Sequence, residues 1–208
     1  QQFPFFIIVG SENSGKHTLI KSLDIPVPID TSPEDSRRPS ACQFWCFDTA
    51  ALIDVRGNLL IEKERAISRE EEWLSLLRLL RNEKPINPLD GLVLCISAEE
   101  LLTLDKQTLT NRASHVRAKL VSVVEKLSIR YPLYIIITKL DVVPGFVSFC
   151  QSIPEKNREN IFGWSSPYST ELPYSETLAE NIVHYITEQI IQTQQALFAS
   201  EKEVLEKE

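Results

Sequence analysis

The apolar run Phe5-Phe6-Ile7-Ile8-Val9 stops at Gly10, and nine residues, Gly10-Ser11-Glu12-Asn13-Ser14-Gly15-Lys16-His17-Thr18, lead from it into a helical stretch with Leu19, Ile20 and Leu23 on one side. A short, unbroken run of bulky residues reads as a strand buried on both faces. Such a strand needs neighbours to left and right and helices above and below. The spacing G-x-x-x-x-G-K, placed between a buried strand and a helix start, is that of a phosphate loop. Its glycines let the backbone curl with N–H groups pointing inward at phosphate oxygens. Lys16 reaches the β- and γ-phosphates, and the helix N-terminus adds a partial positive charge.

The remaining segments build a sheet around that unit. Residues 24–41 carry Pro26, Pro28, Pro33 and Pro39 and read as a loop. Gln43 to Asp48 and Ala50 to Val55 are strand-like runs joined tightly at Asp48-Thr49, a hairpin. Residues 69–83 place Trp73, Leu76, Leu77 and Leu80 at helical spacing behind an acidic first turn, Glu70-Glu71-Glu72. Leu92 to Ile96 and Pro132 to Thr138 read as further buried strands. Between them lie helices over 98–104 and about 108–129, the second with Val116, Leu120, Val123, Val124 and Leu127 along one face. The expected fold is α/β and P-loop GTPase-like. It has a mostly parallel central sheet, one antiparallel hairpin edge strand and helices on both faces, all within a core of residues 1–142. Residues 143–208 form a C-terminal helical extension, packed on or continuing from the core. Pro154, Pro167 and Pro173 punctuate its first half, and a long helix over about 174–206 carries Ile182, Ile186, Ile190 and Leu197 as an apolar stripe.

Composition narrows the function classes. At 43% hydrophobic and 25% charged residues the 208-residue chain has ordinary globular values, which excludes general disorder. A net charge of −7 argues against nucleic acid as a partner, because that binding needs a basic surface to displace counterions. Cys42, Cys46, Cys95 and Cys150 stand without His or Cys partners at metal-ligand spacing and read as reduced, buried thiols. The six glycines fall well below the roughly 15 of average usage, so their positions carry information. A chain with no methionine that opens on Gln1-Gln2-Phe3 is expected to be a piece of something longer.

Two more motifs extend the nucleotide reading. Asp54-Val55-Arg56-Gly57 ends an apolar strand as D-x-x-G, about 40 residues after the phosphate loop. In P-loop GTPases that Asp holds Mg²⁺ through water and the Gly N–H senses the γ-phosphate. Thr138-Lys139-Leu140-Asp141 follows another apolar strand and matches [NT]-K-x-D. Its Asp carboxylate can accept from the ring N–H and amino group of guanine while the lysine stem covers the base. Nucleotide-binding candidates are therefore Gly10, Ser11, Glu12, Asn13, Ser14, Gly15, Lys16, His17, Thr18, Asp54, Gly57, Thr138, Lys139 and Asp141, with GTP or ATP as the ligand. Ser165-Ser166 is a weaker candidate for a loop behind the base.

The departures fall on catalysis. Ser or Thr should follow the lysine and ligate Mg²⁺; His17 stands there, and imidazole is a poor ligand for a hard cation. Thr18 lies about 100° further round the helix. Asp54 is then the one metal-ligating candidate left, and efficient Mg²⁺-assisted hydrolysis is not expected. Asn58 and Arg56 are the catalytic candidates. Asn58 is shorter than the glutamine that positions water in many GTPases, and Arg56 could reach a γ-phosphate or simply be solvated. A switch I hydroxyl cannot be chosen among Thr31, Ser32, Ser36 and Ser40. A nucleotide-binding switch, a scaffold that keeps the fold without nucleotide, and an unrelated P-loop kinase all stay open at this point, the hairpin and TKxD weighing against the last.

Several longer segments together are more diagnostic: Phe44-Trp45-Cys46-Phe47-Asp48-Thr49-Ala50-Ala51-Leu52-Ile53-Asp54, Glu72-Trp73-Leu74-Ser75-Leu76-Leu77, Pro85-Ile86-Asn87-Pro88-Leu89-Asp90-Gly91, and Arg130-Tyr131-Pro132 through Asp141 to Gly145-Phe146. Over roughly residues 3–165 they resemble the cytoplasmic domain of the IcmF/TssM family of type VI and type IVB secretion systems. His17, where the family loop carries threonine, points to the type IVB (Dot/Icm) branch. The resemblance implies a domain on the cytoplasmic side of the bacterial inner membrane. It also implies flanking transmembrane helices, a DotU/IcmH (TssL-like) partner with other secretion-complex subunits, and a role in assembling or stabilising the envelope complex.

Overall fold

Five strands, β1 (Phe5–Gly10), β2 (Cys42–Cys46), β3 (Ala51–Val55), β4 (Gly91–Ser97) and β5 (Leu133–Thr138), form one sheet in the order β2-β3-β1-β4-β5. The computed structural model describes residues 4–23, 42–47, 49–57, 59, 66–155, 162–169 and 175–205. β1 lies parallel to β3 and β4, β4 parallel to β5, and β2 antiparallel to β3. The hairpin closes where Phe47 N–H donates to Ala50 O at 2.8 Å. The chain fills one side of β1 with β3 and β2, then crosses to β4 and β5 on the other. That reversal opens a crevice at the C-terminal ends of the strands, where α/β sheets bind ligands. This is the P-loop GTPase-like architecture, mostly parallel with one antiparallel edge.

Helices α1 (Lys16–Ser22), α2 (Ala66–Glu83), α3 (Ala98–Thr103), α4 (Lys106–Leu127), α5 (Phe146–Ser152) and α6 (Glu176–Leu205) complete the described elements, with a 3₁₀ turn at Leu140–Val142. Alternation along β1 sends Ile7 and Val9 to one face and Ile8 to the other. Ile7, Val9, Ile53, Val55 and Leu92 meet Trp73, Leu76, Leu77 and Leu80 of α2 and Val123 and Leu127 of α4 in the larger core. Ile8, Leu52 and Cys95 meet Ile20 of α1 and Phe47 in the smaller one. Both faces of the sheet are thus covered by helices around β1, β3 and β4.

Local details correct the sequence reading in four places. Helix α2 starts at Ala66, so Glu70, Glu71 and Glu72 sit beyond its first turn, and Glu70 pairs instead with Lys119 of α4. α4 begins earlier than expected because Asp105 caps it, accepting from Thr108 N at 3.0 Å. Val124 falls off the buried stripe and is exposed, since Val116, Leu120, Val123 and Leu127 already fill the face at spacings of three and four. β5 is an edge strand rather than a buried one, with Leu133, Tyr134, Ile135 and Ile137 exposed. Its unbroken apolar run matched that of a central strand, and nothing local in it reports position in the sheet.

At the other end of the strands Asp90 gathers the chain. Its Oδ2 accepts from Phe5 N at 2.7 Å and from Lys84 Nζ, its Oδ1 accepts from Asn87 Nδ2 at 2.7 Å, and its own N–H donates to Phe5 O at 2.8 Å. The chain divides into two compact units, Gln1–Val142 and Val143–Glu208. In the second, Phe146, Phe149 and Phe162 form a trio of tilted rings 6.3–6.4 Å apart, and α6 carries Ile182, Ile186, Ile190 and Leu197 on a half-buried stripe. No helix among the described residues is long and apolar enough to cross a membrane.

Candidate functional site: a phosphate loop without its metal-binding hydroxyl

The loop between β1 and α1 adopts the curl its glycines allow. Asn13 and Gly15 have positive φ, 59° and 79°, and Gly15 stands as N-cap of α1. These left-handed residues turn successive N–H groups toward one side, the arrangement that cradles anions. Lys16 is buried, and its Nζ donates to Gly10 O and Ser11 O, each at 3.0 Å. An ammonium has three donors, so one is left for a ligand oxygen. Burial holds the Lys16 pKa below the usual lysine value, against the pull of nearby Asp54. From behind, Thr138 at the end of β5 donates through Oγ1 to Ser14 O at 2.6 Å, with Ile96 O at 3.2 Å. The TKxD threonine therefore braces the phosphate loop.

In front of the loop lies a cavity of about 940 Å³, lined by Glu12 through Thr18, by Asp54, Arg56 and Gly57, and by Lys139. The structure thus brings most of the predicted residues to one place. Gly10 and Ser11 form the loop's base. Gly57 is pressed against it: a Cβ there would stand 2.2 Å from Glu12 N and 2.4 Å from the Ser11 carbonyl carbon. Asp141, on the 3₁₀ turn, is not among the lining residues. Asn58, Thr31, Ser32, Ser36 and Ser40 lie outside the described residues, and Ser165-Ser166 belongs to the second unit, where Ser166 Oγ accepts from Tyr168 N.

The metal position differs most from a GTPase. His17 Nδ1 lies 3.5 Å from Asp54 Oδ2, and its ring meets Trp45 edge-on with centroids 5.5 Å apart. Asp54 is buried, and its Oδ1 has no hydrogen-bond partner. Burial raises the Asp54 pKa, with Lys16 and His17 pulling the other way. The donor set does not fit Mg²⁺, which asks for near-ideal octahedral oxygen ligation: a nitrogen stands where the hydroxyl should be.

Three further residues border or brace the site, and sequence reading passed over them. Glu99 and Glu100 start α3 just after β4. Glu100 accepts from Ser11 Oγ and pairs with Arg112 at 2.9 Å, while Glu99 pairs with Lys139 at 2.8 Å. Ser97, at the end of β4, lines the cavity with a buried, unpartnered Oγ. Their signal was positional: they follow the C-terminal end of a central parallel strand, where ligands bind.

The family model of the IcmF-related N-terminal domain matches residues 68–207. The chain belongs to that family. Among curated proteins, the type VI secretion system component TssM1 of Pseudomonas aeruginosa is 29% identical to it over 167 residues, 78% of this chain and 15% of that protein. The chain therefore spans a small part of that relative's length. Among solved structures, a probable GTP-binding protein engB aligns with TM-score 0.44 and 14% identity, over 89% of this chain and 99% of its own. The ADP-ribosylation-factor-like small COPII coat GTPase SAR1 of Encephalitozoon cuniculi, in complex with GDP, aligns with TM-score 0.28 and 10% identity, over 70% and 75%. The matched part of this IcmF-related domain begins downstream of the phosphate loop, so the loop's chemistry rests on its own geometry.

Asp54 supplies a stability test of that geometry in the IcmF-related domain. A carboxylate whose folded pKa is raised disfavours the fold once ionised. Its contribution is most favourable below the unfolded value of about 4 and declines as pH rises through the folded pKa. Asp54→Asn is expected to raise the melting temperature at neutral pH by a few degrees, about 1 kcal/mol. The gain should vanish in acid. Thermal unfolding across pH checks this, and a loss of stability at neutral pH would refute it.

Proposed function

We propose that this domain binds the phosphate chain of GTP or ATP and turns it over weakly or not at all, as part of a bacterial secretion envelope complex. The observation that carries the reading is the phosphate loop itself, curled around an open cavity with a buried lysine ammonium retaining a free donor. His17 beside Asp54 supports weak turnover, because it removes the hydroxyl through which Mg²⁺ would organise hydrolysis. Family membership and the TssM1 relative support a secretion-system setting; the proposal places the domain on the cytoplasmic side of the inner membrane with a DotU/IcmH-type partner and other complex subunits.

One observation favours a second reading, a scaffold that docks partners and holds no nucleotide. Glu12, Asp54, Glu99 and Glu100 line the same cavity as Lys16, Arg56 and Lys139, and an acidic lining opposes a polyanion. Titration calorimetry with GTP, GDP and ATP, with and without Mg²⁺, separates the two. Binding is expected for all three, little changed by Mg²⁺, and Lys16→Ala should weaken it at least 100-fold. His17→Thr should restore a Mg²⁺-dependent gain of about tenfold, or 1.4 kcal/mol. Absence of heat at millimolar nucleotide would leave the scaffold.

A further inference from the structure

The distance between His17 and Asp54 has a chemical meaning of its own. An imidazole–carboxylate hydrogen bond closes to about 2.7–3.2 Å, and this pair stands at 3.5 Å. Two ligand atoms held at about 2.0–2.2 Å by one tetrahedral cation lie about 3.3–3.6 Å apart. Two cis ligands of octahedral Mg²⁺, at about 2.0–2.1 Å, lie only about 2.8–3.0 Å apart. The pair has the first separation, and one of its members is a nitrogen, the donor that zinc-class cations favour over Mg²⁺.

A second observation points the same way. The Asp54 side chain is nine-tenths buried, and its Oδ1 has no hydrogen-bond partner. Oδ2 is the oxygen that faces His17, so a cation held between His17 Nδ1 and Asp54 Oδ2 would offset the cost of burying the ionised carboxylate through its charge, without ligating Oδ1. Among the described residues no group of three His, Cys, Asp or Glu side chains gathers to hold a metal unaided. The protein contributes two ligands, and a tetrahedral site needs four. The loop that cradles phosphate adjoins both: His17 follows Lys16 directly, and Asp54 sits opposite Ile8 in the β1–β3 register.

We propose that His17 and Asp54 form half of a nucleotide-dependent site for a zinc-class divalent cation, the other half being phosphate oxygens of the bound nucleotide, with water where a position is left. The proposal rests on the phosphate-binding reading above and adds to it the class of cation. The imidazole at the Mg²⁺ position is thus a change of metal preference. Nucleotide and cation each complete the other's site, so they bind cooperatively.

Co²⁺ serves as the spectroscopic probe, with the 208-residue chain. GTP added to protein and equimolar Co²⁺ should bring up the intense visible bands of four-coordinate Co²⁺, and Zn²⁺ should displace them. Zn²⁺ should tighten GTP binding at least tenfold over EDTA, and Mg²⁺ less than twofold. His17→Thr should abolish the bands and transfer the preference to Mg²⁺. Asp54→Asn, with folding verified by circular dichroism, should abolish them without that transfer. Equal GTP affinity in EDTA, Mg²⁺ and Zn²⁺ would overturn the cation site and leave the nucleotide reading standing. Loss of GTP binding under every condition would overturn that reading and the cation site with it. Bands that form without nucleotide, that persist in His17→Thr, or that carry sulfur charge-transfer absorption would place the metal elsewhere and overturn the proposal.

Discussion

Gly57→Ala is expected to lower the melting temperature by about 10 °C, a loss of about 3 kcal/mol. The Gly57 backbone is not in the left-handed region, so strain in φ is not the cause. The cause is contact: an added Cβ would stand 2.2 Å from Glu12 N, 2.4 Å from Ser11 C and 2.9 Å from Glu12 Cα. All three are backbone atoms, and no rotamer change relieves them. Nor can the phosphate loop give way easily. Lys16 ties Gly10 and Ser11, Ser14 N–H donates to Ser11 O at 3.2 Å, and Thr138 holds Ser14 from β5. The D-x-x-G turn must therefore swing outward, drawing Asp54 from His17. Gly163→Ala is the matched control, because nothing lies within 4 Å of a Cβ there; it should melt within 1 °C of the parent. Differential scanning calorimetry on both variants decides the point, and a Gly57→Ala protein as stable as the control would show that the contact yields.

The second large effect is in the core. Trp73→Ala is expected to cost about 3–5 kcal/mol. Trp73 is 1% exposed, and its ring lies where α2 meets α4. Its Nε1 donates to Ser122 Oγ at 2.8 Å, and Ser122 in turn donates to Lys119 O at 2.7 Å. Removing the indole empties the largest buried side-chain volume and leaves the Ser122 hydroxyl without its donor. Trp73→Phe separates the two contributions: it retains most of the apolar surface, loses the hydrogen bond, and should cost about 1–2 kcal/mol. Urea unfolding followed by circular dichroism measures both. Equal losses in the two variants would assign the energy to the hydrogen bond alone.

Much of this was legible in the sequence because it is local. The run Phe5 to Val9, the two loop glycines and Lys16 encode strand, turn and helix start within fourteen residues, and the hairpin and the Trp73 helix follow from spacing alone. The sheet order was not, because every apolar strand reads alike; β5 was expected to be buried and closes the sheet at its edge. The pairing of His17 with Asp54 joins residues far apart in sequence, and only the parallel register of β1 against β3 brings them together. Glu99 and Glu100 were invisible for a different reason. Two acids at a helix start are ordinary, and their importance comes from the strand they follow. The family match begins at residue 68, so the matched segment and the phosphate loop are independent sources of information.

The Asp90 knot, at the end of the sheet opposite the cavity, has a mechanical consequence. β1 is the middle strand, bonded along both edges to parallel neighbours, and its first residue is held by Asp90 through both backbone groups. Tension on the backbone just before Phe5 would run along β1, loading both ladders and the Asp90 bonds at once, in shear. Bonds loaded in shear share the force, whereas a strand peeled from an edge breaks them one at a time. A molecule pulled through that end should resist strongly and then yield in a single event, with the phosphate loop, at the far end of the same strand, displaced last.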